Sequence, residues 1–282
     1  MDGDMSKMNK SLIALALAGL SVVSLNAQAH KPYILASTTE VEPARDGSAW
    51  VTFDAAVAEN LFTIDFSLKL DGLSITAPDG SALQPQNVNN GKLRSTFDLN
   101  LPKPGTYKVA LVNAAVMGSY KDKEGNMKRF RATEETLSKE VPADATEVKI
   151  SRQETRLETF VSTGKPDMNV FKPTGKGLEM VPVTNPTELH AGDKVTWRFL
   201  VDGKPAANQG VSLFQGGVKF RGTLGEIRQT TNDKGELTLT LPAAGQYMIS
   251  SSWPEIKRVE GQPPQMAPRR VSYSAVVEIL PE

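Results

Sequence analysis

A nine-residue phrase occurs twice in the chain. Leu99 to Tyr107 reads Leu-Asn-Leu-Pro-Lys-Pro-Gly-Thr-Tyr, and Leu239 to Tyr247 reads Leu-Thr-Leu-Pro-Ala-Ala-Gly-Gln-Tyr. Each copy follows an alternating run (Phe97, Leu99, Leu101; Leu237, Leu239, Leu241) and precedes another (Tyr107, Val109, Leu111; Tyr247, Ile249), the period of two of half-buried strands. Proline has no N–H to give a ladder and so ends the first strand; glycine three positions on supplies the backbone freedom to enter the next. The phrase is a β-corner. Two corners about 140 residues apart predict a tandem of similar antiparallel domains rather than one large fold.

The rest of the chain fits that expectation. Trp50–Asp54, Leu61–Leu70, Leu73–Ala77, Thr106–Tyr120 and Glu147–Val161 read as strands, with Lys121–Asn126 as a charged hairpin tip. Thr133–Lys139 reads as a short helix capped by Thr133 and stopped by Pro142. In the second half Val195, Trp197, Phe199 and Val201 alternate as an interior face, and Val211–Phe214, Val218–Phe220, Ile227–Thr231 and Val271–Leu280 read as further strands. Breaking and charged residues cluster without periodicity between Gly164 and Gly177, which marks a linker. The expected organisation is all-β: two tandem antiparallel, immunoglobulin-like β-sandwiches at 30–163 and 178–282, a linker at 164–177, and a cleaved signal peptide with an extended start at 1–29.

That last element rests on Met8-Asn9-Lys10, an apolar run from Leu12 to Leu25 and the small-residue site Ala27-Gln28-Ala29. It predicts export to the periplasm and a mature chain that begins at His30 and carries no membrane span. Lysine plus arginine and aspartate plus glutamate number 32 each, so no global field favours nucleic acid or an anionic surface. The chain has no cysteine, which excludes disulfides and thiolate chemistry. H-E-x-x-H, G-x-S-x-G and phosphate-binding glycine loops are missing, and the pair Glu134-Glu135 reads as a solvated face. No catalytic residue is assigned.

His30 is the sharpest chemical clue. At a mature amino terminus its α-amine and imidazole chelate one ion, a donor pair suited to Cu(II), Ni(II) or Co(II). Pro32 has no amide proton, so the chelate cannot extend along the backbone and further ligands must come from the fold. His190, in the turn Leu189–Asp193, is the other histidine and the candidate second ligand.

The chain resembles a bacterial exported family of unknown function often labelled as the periplasmic component of an ABC-type cobalt or nickel transport system. The resemblance runs through the Ala29-His30 start, Trp50–Ala56, Leu70–Leu73, Ala77–Gly80, Arg94–Asp98, Glu158–Val161, Pro173–Glu179, Asp202–Pro205 and the second corner. It implies an accessory metal-binding role beside a membrane transporter. Relatives carry His where this chain has Asn185, which removes one ligand here. Thr231–Gly235 with the second corner also resembles the β-sandwich modules attached to exported enzymes and surface proteins.

The leading expectation is therefore a periplasmic protein that binds a divalent transition metal and delivers it for uptake. The first alternative is a non-enzymatic structural or protein-interaction module with a partner at the proline-rich loop 254–270. The second is a copper redox enzyme that braces its ion between His30 and His190.

Overall fold

The computed structural model describes residues 30–256 and 266–282. The predicted signal peptide and the centre of the loop at 254–270 lie outside the described residues. The first half contributes β1 (Lys31–Ala36), β2 (Glu40–Val41), β3 (Trp50–Ala58), β4 (Phe66–Ser67), β5 (Leu73–Thr76), β6 (Ala82–Leu83), β7 (Gln86–Asn90), β8 (Ser95–Asn100), β9 (Gly105–Lys121), β10 (Met127–Ala132) and β11 (Thr146–Thr163). The second contributes β12 (Leu178–Pro182), β13 (Lys194–Val201), β14 (Lys204–Pro205), β15 (Gly210–Gln215), β16 (Glu226–Thr230), β17 (Glu236–Thr240), β18 (Gly245–Trp253) and β19 (Arg269–Ile279). Together they form two immunoglobulin-like β-sandwiches.

Both corners form as the repeat predicts. The Tyr107 hydroxyl donates to the Lys103 carbonyl at 2.7 Å and accepts the Lys103 N–H at 2.9 Å. The Tyr247 hydroxyl donates to the Ala243 carbonyl at 2.7 Å. Each tyrosine thus ties its strand back to the turn four residues upstream, the arrangement called a tyrosine corner in sandwich proteins. Gly105 has φ +127° and would place a Cβ 2.7 Å from Pro78 Cβ, so conformation and space both demand glycine there.

The two sandwiches share a sheet. A ten-stranded sheet runs β16-β15-β18-β19-β11-β9-β5-β6, with β10 also paired to β9 and β2 to β11, and its seam is a parallel ladder from Arg152↔Arg269 to Thr159↔Val276. The sheet of β1, β3, β8, β7 and β4 covers one face of the first half, and the core there gathers Phe53, Phe97, Tyr107, Leu157 and Val161. The sheet of β12, β13, β14 and β17 covers the second half, over Trp197, Phe199, Ile249, Tyr273 and Phe160. Leu157 and Val161 enter the first core while Phe160 enters the second, so the two covers lie on opposite faces of the shared sheet. A smaller cluster sits where the halves meet: Tyr33 and Ala56 of the first pack on Phe214, Met248 and Val276 of the second. β1 is therefore buried from both sides, with Ile34 in the first core and Tyr33 in the junction.

Buried polar groups bind the seam further. Arg156 of β11 lies 3.6 Å from Glu158 and 3.9 Å from Glu179 of β12, and all three are buried. Glu179 also accepts N–H bonds from Thr174 and Gly175 at 2.9 and 2.8 Å. Burial pushes the Glu158 carboxyl above its ordinary range, against the pull of Lys108 and Arg156.

Four local expectations are corrected. The segment 164–177 is more than a connector, because Val170 and Phe171 are buried in the second core and Phe171 meets Phe160 edge-on at 5.1 Å. Only Phe66–Ser67 of 61–70 is strand, since Phe62 takes φ +64° and breaks the run. Val218–Arg221 is one helical turn, α2, between Gly217 and Gly222, both left-handed. The earlier turn, α1 (Leu137–Glu140), starts after Thr136 rather than at Thr133, whose N–H is taken by the Thr136 hydroxyl.

Candidate functional site

Beside His30 lies a cleft of about 870 Å³ at the junction of the sandwiches. Its floor is the outward face of β15, β18 and β19. Alternate positions on these strands point to the second core (Leu213, Ile249, Tyr273), which leaves Ser212, Ser250, Ser252, Ser272 and Ser274 on the opposite face. Thr155 continues the row across the seam. His30, Lys31 and Pro32 enter from the start of β1, just where that strand leaves the junction cluster.

The hydroxyls bond sideways across the strands. Ser272 donates to Thr155 Oγ1 at 3.1 Å, Ser274 to Ser250 at 3.4 Å, and Ser212 to Glu226 Oε1 at 2.6 Å. Arg228 reaches Ser212 at 3.1 Å and Glu255 at 2.7 Å. Arg270 donates to Ser252 at 3.3 Å. Lys31 lies with its ammonium 4.6 Å above the Phe214 ring. Burial lowers its pKa, with Glu226 opposing the shift.

The two histidines expected to bind metal have different neighbours. The His30 ring lies 5.3 Å from that of Phe66, and His30 lines the cleft together with Ser272 and Ser274. His190 pairs through its backbone with Leu280, and its exposed ring has Asp193 as a neighbour at 3.7 Å. His190 is bridged to Leu280, six positions and about 20 Å of extended chain beyond Ser274 of the cleft floor. Asn185 holds its surroundings as an amide, donating to the Asp167 carbonyl at 3.2 Å and accepting from the Thr187 N–H and hydroxyl, each at 3.0 Å. Among the described residues no group of three His, Asp or Glu side chains converges to hold a metal. Nor is any helix among them long and apolar enough to cross a membrane.

The serine floor escaped the sequence reading. Its signal was the alternation of Ser250-Ser251-Ser252 and of Ser272 and Ser274 with core residues, which marks an outward face without showing what walls it.

A family model matches residues 27–255 and so spans the cleft's β1 wall, the seam strand β11, and β15 and β18 of its floor. The chain belongs to the DUF4198 family. The family is described as a domain of unknown function. A comparison with curated proteins gives no match. Among solved structures, this DUF4198 chain is similar to the D0-D1 domain of intimin at 17% identity, over 88% of this chain and 97% of that one, with a TM-score of 0.21. It is also similar to a tetra-tandem repeat in the extending region of a large adhesion protein, at 13% identity, over 88% and 74% of the two chains, with a TM-score of 0.22. At TM-scores this low, the fold assignment of the DUF4198 chain rests on its own strands and cores.

Proposed function

We propose that this chain is a non-enzymatic binding module of an exported protein, and that its ligand seats in the serine-floored cleft between the two sandwiches. The observation that carries this reading is the junction itself. The outward face of the second sandwich's sheet would be an ordinary solvated surface, but pairing β11 with β19 brings β1 over it and makes it concave. The walls are set by a shared ladder and a buried cluster, so the cleft is preformed and a ligand need not spend binding energy on domain closure. Its polar groups are hydroxyls bonded to one another or to charged neighbours, an arrangement suited to holding a polar molecule.

Metal delivery would rest on His30 and His190, of which His30 lines the cleft, and Asn185 offers an amide where a histidine ligand would be wanted. Holding a ligand in the cleft uses His30 as a rim residue and needs no further metal donors.

Thermal denaturation with panels of saccharides, short peptides and small anions tests the reading, with Ser274→Trp as a variant whose cleft is filled. A ligand of the native state raises the melting temperature by mass action. We expect at least one panel class to stabilise the parent protein and to leave Ser274→Trp unmoved. Equal shifts in both proteins, or none in either, would overturn it.

A further inference from the structure

We infer that the ligand of this cleft carries an oxyanion, a carboxylate, sulfate or phosphate on a hydroxylated molecule, held by Lys31 and Arg270 over the serine floor. This inference rests on the binding-module reading and names the chemistry of its ligand.

The distribution of counter-ions points there. Around the cleft, arginines carry their own carboxylates: Arg228 has Glu255 at 2.7 Å, Arg269 has Asp202 at 2.6 Å and Arg152 has Glu134 at 2.6 Å. Lys31 and Arg270 differ. Among the described residues neither has a carboxylate within 4.0 Å, although both line the cleft. Among the described residues Arg270 makes one side-chain bond, to the Ser252 hydroxyl, and the rest of its planar donor fork suits a ligand. Lys31 is half-buried against Phe214, and Glu226 acts on its charge from beyond ion-pair distance. A cation in that state gains more from an incoming anion than a fully hydrated one does.

The acidic groups of the cleft do not cancel this. Glu226 and Glu255 both face Arg228, at 3.9 and 2.7 Å, and Glu226 also takes the Ser212 hydroxyl at 2.6 Å. Three cations thus line the cleft against two carboxylates; both carboxylates sit beside Arg228, and Glu226 also acts on Lys31 from a longer distance. The floor supplies neutral donors between them: Ser250, Ser252, Ser272, Ser274 and Thr155 are half-buried hydroxyls that rotate to meet an anion's oxygens. Hydroxyls also serve hydroxyl groups, which is why the ligand class combines an anion with a polyol body.

Isothermal titration of the mature protein tests this with four probes: sulfate, citrate, a sulfated hexasaccharide and its unsulfated counterpart. The expected result is that at least one anionic probe binds about tenfold or more tightly than the neutral sugar, and that raising salt weakens it. Lys31→Gln and Arg270→Gln should each weaken that probe about tenfold, with melting temperatures unchanged. Binding of the small anions would place the whole recognition in the charge; binding of the sulfated sugar alone would show that the polyol body is needed too. If the neutral sugar binds as tightly as its sulfated form and Ser274→Trp abolishes both, the oxyanion inference is wrong and the binding module stands. If no probe binds and Ser274→Trp behaves as the parent in the wider panels, both readings fall.

Discussion

The Tyr273 hydroxyl donates to Glu158 Oε2 at 2.8 Å, joining β19 to β11 beneath the parallel seam between the two sandwiches. Both residues are buried, and Arg156 completes the group from the position that pairs with Tyr273. The bond is a cross-link between halves that the corner repeat alone would leave independent.

Removing parts of this group gives graded losses. Tyr273→Phe leaves a buried carboxylate oxygen without its donor and should cost about 1–3 kcal/mol. Arg156→Met strands Glu158 and Glu179 together and should cost about 3–5 kcal/mol. Urea unfolding measures both. A single transition that moves as a unit is expected, because the seam couples the cores; two separated transitions in the parent would show that the halves unfold independently.

Alkaline pH should attack the junction through Tyr33. Burial, followed by Asp54 and Asp65, pushes its hydroxyl up to about 12 from an ordinary value of 10.0. A group with a raised folded pKa contributes full stability below its unfolded pKa and loses it as pH rises through the folded one. Stability should therefore fall between about pH 10 and pH 12, and Tyr33→Phe should flatten that part of the curve. Melting temperatures across pH 8 to 12 decide it; an unchanged slope in Tyr33→Phe would contradict the assignment.

The corners should be unequal. Tyr107 makes two bonds to Lys103 and Tyr247 one to Ala243. Replacing each with Phe should destabilise by about 1–3 kcal/mol, more at Tyr107. Paired denaturation curves test the order as well as the size.

The corner phrase and the period-two runs made the sandwiches legible because both are local signals. The seam was not, since alternation tells which face a residue takes but not which strand it pairs with. β11 also hides its role: it is buried on both faces, so Arg156 to Thr163 are all covered and the polar-out alternation of an ordinary outer strand is lost. Arg156 and Glu158, charged side chains within that run, are the polar contents of a core. His30 was legible as a singular residue, but its surroundings come from β18 and β19, more than 200 positions away. The serines there are unremarkable until β1 is laid beside them.

Metal titration separates the two histidines. Any Cu(II), Ni(II) or Co(II) bound at His30 should be indifferent to His190, so His190→Ala should keep the affinity within about twofold. A tenfold loss would place His190 in the same metal site as His30.

Hydrogen exchange with and without the ligand that the thermal panels select tests the central claim most directly, because it reports where binding happens. The account predicts new protection at His30–Pro32, Ser250–Ser252 and Ser272–Ser274, the strands that floor and wall the cleft. Protection confined to the β9–β10 hairpin tip or to the exposed β7 edge, with the cleft strands unchanged, would contradict it.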